Sequence, residues 1–189
     1  MSLTRIGGRR DVAAFSLIVL CIGLQLLSIK SPWWVINEYP AGSATPIAWR
    51  SLFISPPTYI IESDFYVVGK NVGLSGRLSV AVTYSLISVT VVTYALLIST
   101  VLWLLGNRER LPALVVFALI INISVPIVFY STLRSIQADW PVPISPSGSH
   151  LISLTGRRVE WGLSTGFYAN LSSAVLLFFA YLLIKVRKP

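Results

Sequence analysis

Apolar and polar positions alternate along this chain in long segments, not turn by turn. Four blocks are apolar almost throughout: Val12 to Ile29, about Leu78 to Leu105, Leu111 to Leu133, and about Leu163 to Ile184. Even the first of these makes about 27 Å of helix at about 1.5 Å per residue, enough for a hydrocarbon core of about 30 Å with modest mismatch. The pattern predicts four membrane-spanning helices. Arg9 and Arg10 precede the first block as they would in a signal peptide, but its apolar run exceeds the usual h-region and Ser28-Ile29-Lys30 is no small-residue cleavage site, so it reads as a retained span.

Between the second and third blocks lies only Gly106-Asn107-Arg108-Glu109-Arg110. Gly106 suits the C-terminal cap of one helix and Pro112 the first turn of the next, which predicts a tight antiparallel hairpin with a basic turn. The remaining connections, about residues 30 to 77 and 134 to 162, are rich in aromatic and β-branched residues and read as folded. Ile47 to Ile54, Thr58 to Ile61 and Phe65 to Val68 are expected as short strands, broken at Pro56-Pro57 and Glu62-Ser63-Asp64. His150 to Thr155 and Arg157 to Trp161 are expected as a hairpin around Gly156. The expected fold is therefore an all-α membrane protein of one domain over residues 1–189: a four-transmembrane-helix bundle with a small extracytoplasmic β-sheet formed by the two outer loops.

Charge sets the orientation. Only 12% of the 189 residues are charged, against roughly 25% in an ordinary soluble domain. The net charge of +8 would raise the question of nucleic acid in a soluble protein, yet eight of the fifteen Lys and Arg fall in three short stretches flanking the blocks: Arg5, Arg9 and Arg10; Arg108 and Arg110; Lys185, Arg187 and Lys188. That placement is topology information and contact with lipid headgroups, with both termini cytoplasmic in the cell membrane and no nucleic-acid partner. Trp33, Trp34, Trp140, Trp161 and Tyr168 are expected as an aromatic belt at the outer interface. Cys21, the single cysteine, excludes an intrachain disulfide. The scarcity of Asn, Gln, Cys and internal Met resembles heat-adapted proteins.

Candidate chemistry is thin. No Asp, Glu, Lys, Arg or His lies inside the four predicted spans, which disfavours proton relays, ion-coupled pumps and voltage sensors. His150 is the only histidine, and no nucleophile motif or metal-ligand spacing accompanies it. The chain is therefore read as non-enzymatic, with no metal or cofactor. The packing features are more informative. Gly162, Gly166, Asn170 and Ala174 recur every four residues and predict a small-residue face on the fourth helix, for internal packing first and for a partner or oligomer contact second. Thr83, Ser85, Ser88, Thr90, Thr93, Ser99 and Thr100 give the second helix a series of hydroxyls that either bond back to their own carbonyls or line a polar path. Asn122 and Pro126, one turn apart on the third helix, suggest a kink whose freed carbonyl Asn122 satisfies, with a lipid or quinone pocket beside it as the sharper alternative. Trp49, Arg50, Arg157 and Arg158 are the candidate contact residues outside the membrane.

The plan of inner termini, a larger first outer loop with strands, a short inner turn and a smaller second outer loop resembles claudin-like four-span proteins. Ala48-Trp49-Arg50-Ser51-Leu52-Phe53-Ile54 is similar to the Trp-Arg segment of a claudin first loop, and the apolar run after Gly166 to a claudin last helix. The family's Gly-Leu-Trp and cysteine pair are absent, so the resemblance implies a lateral or trans protein–protein role for the outer sheet and nothing about sealing. The expected function is a structural or accessory subunit contacting lipids, other membrane subunits or itself. A small uncoupled transporter or channel, and a quinone- or lipid-binding subunit of a membrane enzyme, remain as alternatives.

Overall fold

The computed structural model describes residues 8–55, 59–63, 67–68, 76–135 and 146–185. In chain order these form α1 (Arg9–Lys30), β1 (Trp34–Tyr39), β2 (Ala48–Leu52), β3 (Tyr59–Ser63), β4 (Val67–Val68), α2 (Gly76–Leu104), α3 (Leu111–Ser135), β5 (Ser147–Ile152), β6 (Arg157–Leu163) and α4 (Thr165–Lys185). All four helices are long and apolar enough to cross a membrane. Of the expected breaks and strand ends, Pro56-Pro57, Thr58 and Asp64 to Phe65 lie outside the described residues, as does Trp140.

The helices bury a repeat that hydropathy alone does not show. Buried positions run Ala14, Ile18, Cys21, Gln25 and Ser28 on α1, and Gly166, Asn170, Ser173, Leu177 and Ala180 on α4. Both step four then three residues, the seam spacing of helices that pack nearly parallel or antiparallel with a slight left-handed twist. In α2, Leu78, Val82, Ser85, Val89, Val92, Leu96, Ser99 and Trp103 follow the same rule. The opposite faces are just as apolar: Val80, Ile98, Leu104, Ile120 and Ile127 are all more than half exposed. So wide an apolar surface is what lipid-facing helices present and what soluble monomers avoid.

At the turn end of the bundle, Gly106 takes a positive φ of 76°. The Asn107 amide donates to the Leu102 carbonyl (3.0 Å) and the Gly106 amide to that of Trp103 (3.1 Å), the paired bonds of a Schellman cap. Glycine is there because the left-handed conformation is costly for a residue with a Cβ. Arg108 in the turn reaches back to Asp11 at the start of α1 (2.8 Å) and lies 5.3 Å from the Trp103 ring, tying the hairpin to the first helix.

The sheet is antiparallel, in the order β4-β3-β2-β1-β6-β5. Its central strand β1 was not among the expected elements, because its tryptophans look like interface anchors. They are core residues: Trp33, Trp34 and Trp161 are buried, whereas Tyr168 is half exposed. The alternation that builds β1 is nonetheless regular. Trp34 and Ile36 point inward with Leu52, Val159 and Trp161, while Val35, Asn37 and Tyr39 stay partly exposed. Gly162 also departs from expectation. It belongs to β6, paired with Val35 and Ser147, so the small-residue face of α4 starts at Gly166.

Sheet and bundle are spliced where α1 runs into β1 and β6 into α4. The last carbonyls of a helix and its first amides lack partners within it, and here residues of the sheet layer and the segment after α1 supply them. Trp33 Nε1 donates to the Ser28 carbonyl (2.8 Å), and Ser55 Oγ to that of Ile29 (2.9 Å). The Gly166 amide donates to the Pro32 carbonyl (2.8 Å) and the Ser164 amide to that of Trp33 (2.9 Å). The Trp33 ring lies against Phe129 and Phe167 at centroid distances of 5.0 and 5.9 Å. A Cβ at Gly166 would run into Trp33 Cδ1 and sit 2.6 Å from the Ser31 carbonyl oxygen, so no larger residue fits.

Trp33→Ala is expected to cost about 3–5 kcal/mol, as for other buried aromatic truncations, and Gly166→Leu to be at least as damaging. Both are measured as a fall in the denaturation midpoint of the purified protein in mild detergent. Retained midpoints in both variants would mean that the splice is not what holds the layers together.

Candidate functional site

Two groups of side chains stand apart from ordinary packing: an enclosed polar cluster at mid-bundle and the outward face of the sheet. The bundle core divides into two apolar clusters. One, toward the sheet, contains Trp33, Val89, Val125, Phe129 and Phe167; the other, toward the turn, contains Ile18, Cys21, Leu96, Val115 and Leu177. Between them lie Gln25 of α1, Asn122 of α3, and Asn170 and Ser173 of α4, all fully buried.

These four side chains hydrogen-bond to one another. Gln25 Nε2 donates to Asn122 Oδ1 (2.9 Å) and Ser173 Oγ (2.8 Å). Asn170 Nδ2 donates to Asn122 Oδ1 (2.6 Å) and Gln25 Oε1 (3.4 Å), and Asn122 Nδ2 to Ser173 Oγ (3.3 Å). The orientation of the Asn170 amide is fixed, because exchanging its ends would set two carbonyl oxygens against each other at the Asn122 contact. Its Oδ1 is left without a partner. The cluster holds no ionisable group, so it has the means to align three helices but not to relay protons.

Asn170 and Ala174, expected on a packing face, are buried. That face meets α1, against which α4 packs most extensively. Asn122 gives its amide to side chains of the neighbouring helices, where the sequence suggested the carbonyl freed by Pro126. Pro126 itself is buried in α3. Sequence reading passed over Gln25 and Ser173. The signal was available: Gln25 is the one amide in the first apolar block, and it lies on the same seam as Cys21 and Ser28.

Hydroxyls on α2 bond locally. Ser85, Thr90, Thr93, Ser99 and Thr100 each donate to the carbonyl four residues earlier, at 2.7 to 2.9 Å. Tyr84 OH lies 2.7 Å from Ser124 Oγ and links α2 to α3 at the edge of the bundle.

On the sheet, cross-strand register places Trp49, Asn37 and Glu160 in one row and Tyr39 and Arg158 in another. Trp49 is 40% exposed, a large aromatic left open on a strand. Arg158 pairs with Glu160 (3.0 Å) and lies 5.1 Å from the Tyr39 ring. Arg157 of β6 pairs with Glu38 of the neighbouring β1 (2.8 Å). Arg50 is paired in the backbone with Ile36 and Ile61. At the tip of the β5–β6 hairpin Leu154 is 97% exposed, and Leu151 nearby 63%. The candidate residues Trp49 and Arg158 thus share one sheet face, while Arg157 alternates to the opposite face, where it meets Glu38.

No protein-family model matches this chain, and no curated protein sequence matches it. Among the described residues, no group of three or more His, Cys, Asp or Glu side chains is placed to hold a metal ion. The fold and the two sites define a candidate multi-pass membrane protein: four apolar helices held by an uncharged polar core, carrying an antiparallel sheet at one end.

Gln25→Leu removes three of the five hydrogen bonds in the cluster and is expected to cost about 1–2 kcal/mol, the range of interhelical hydrogen bonds in membrane bundles. Thr93→Val, which removes only a local bond, is expected to cost under about 0.5 kcal/mol. Unfolding titrations in detergent micelles compare the two, and equal costs would show that the cluster contributes no interhelical stability.

Proposed function

We propose that this chain is a non-enzymatic subunit of a membrane assembly, anchored by four spans in the cell membrane with both termini cytoplasmic and the sheet outside. The observation that carries the reading is the sheet itself. It is joined directly to α1 and α4, and it leaves Trp49, Leu151 and Leu154 exposed beyond the end of the bundle. Exposed aromatic and aliphatic side chains on a rigid support are the usual anchors of protein contacts. The plan resembles that of claudin-like proteins, whose outer sheets serve such contacts, and lateral assembly follows from the same geometry.

The orientation draws on charge. Arg9, Arg10, Arg108, Arg110 and Lys185 all fall at the turn end of the bundle, opposite the sheet, as the excess of cytoplasmic Lys and Arg requires. The alternative of uncoupled transport has less support, because the α2 hydroxyls spend their protons on their own helix. A quinone or lipid site at Asn122 and Pro126 would require the buried amide cluster to open.

Mass measurement of the complex extracted gently from its native membrane tests this reading, with every copurifying chain identified. A discrete assembly larger than the 20.8 kDa chain is expected, and Trp49→Ala combined with Leu154→Ser should dissociate it while leaving the helical fold intact. A lone protomer that conducts a solute in liposomes would replace the subunit reading with transport.

A further inference from the structure

Resting on the reading of the sheet as an assembly surface, we infer that the outer edge of β5 pairs with β5 of a second copy of this chain. Three features of the edge point there. First, its backbone is open at Gly148. Gly148 has only main-chain surface to expose, and it is exposed even though the Trp161 indole covers one side of it, with Trp161 Cε2 2.7 Å from where a Cβ would sit. The open area therefore lies toward the edge and the outer face. Among the described residues no strand pairs with β5 on that side.

Second, the sequence and register of β5 itself carry none of the charges, prolines or bulges that protect natural edges. Ser147-Gly148-Ser149-His150-Leu151-Ile152 contains no lysine, no acid and no internal proline, and its register with β6 runs unbroken through six pairs without a bulge. Exposed N–H and C=O groups at alternate residues are recognised by the main chain of another extended strand, more than by charge.

Third, the strand is complementary to itself. Antiparallel pairing about a two-fold axis sets each residue opposite a residue of the identical strand, so any charge near the centre would meet a like charge. Here the strand holds no Asp, Glu, Lys or Arg. With the axis at Ser149, hydroxyl faces hydroxyl and Gly148 faces the larger His150. Leu151, 63% exposed, gains cover from the second copy.

The full-length protein in its native membrane provides the test. In a Cys21→Ser background, Ser149→Cys is expected to give a covalent dimer on mild oxidation, with Leu171→Cys on the exposed face of α4 as the control that does not. Backbone amides of residues 148–152 should exchange about tenfold or more slowly in the assembly than in the dispersed protomer. Ser149→Lys should weaken association about tenfold or more while the helical fold is retained.

Absence of dimer from Ser149→Cys, His150→Cys and Leu151→Cys alike, with freely exchanging β5 amides, overturns the inference. If a larger assembly is still extracted in that case, the subunit reading survives and only the β5 contact is lost. A lone protomer with no crosslink removes both.

Discussion

Trp33 is the point at which the two layers of this molecule become one. Its indole caps the outgoing end of α1, its ring fills the space between α3 and α4, and its backbone bonds both to β2 and to the residue before α4. The constraint behind this arrangement is that helix termini near a hydrocarbon layer have little water with which to satisfy their peptide groups. The α1 carbonyls accept from Trp33 and Ser55, and the start of α4 bonds to the segment that follows α1. Gly166 follows from the same geometry, since the indole occupies the volume in which any side chain would stand.

Beneath that joint, the bundle depends on shape and a few neutral amides. Lipid tails are as apolar as leucine, so burying leucine distinguishes one helix face from another only weakly. The seams of α1 and α4 accordingly use small and polar side chains, with Gln25, Asn122, Asn170 and Ser173 forming a layer between two apolar clusters. An amide layer of this kind fixes the rotational setting of the helices, because any other setting strands donors in hydrocarbon. It is a specificity device more than a source of stability.

Much of the architecture can be read from the chain alone, and the parts that cannot have a common cause. Helix number, the Gly106 turn and the hairpin around Gly156 all follow from block hydropathy and turn chemistry. The inward faces of the helices do not, since their two sides are equally apolar and only the spacing of Gln25, Asn170 and the small residues marks the seam. The central strand is hidden for another reason. Trp33 and Trp34 stand beside a span, where tryptophan ordinarily signals an interface, and the alternation of Trp34, Ile36 and their partly exposed neighbours between Pro32 and Pro40 is short. Gly162 fits a four-residue repeat by number, yet the chain is still in β6 there and enters the helix three residues later. Spacing does not reveal where a strand gives way to a helix when both are apolar.

The order of strands has a consequence for synthesis. β1 emerges directly after the first span, and its neighbour β2 follows within a few residues. Its other neighbour, β6, arrives only after the second and third spans, as the Glu38–Arg157 pair separated by 119 positions illustrates. Until then the middle of the sheet has one unpaired side, and Trp33 lacks the glycine against which it seats. The nascent protein must therefore wait with its most hydrophobic junction half built. The last of these four helices to leave the ribosome acts as the keystone, and until it arrives the sheet and the bundle stay incompletely joined.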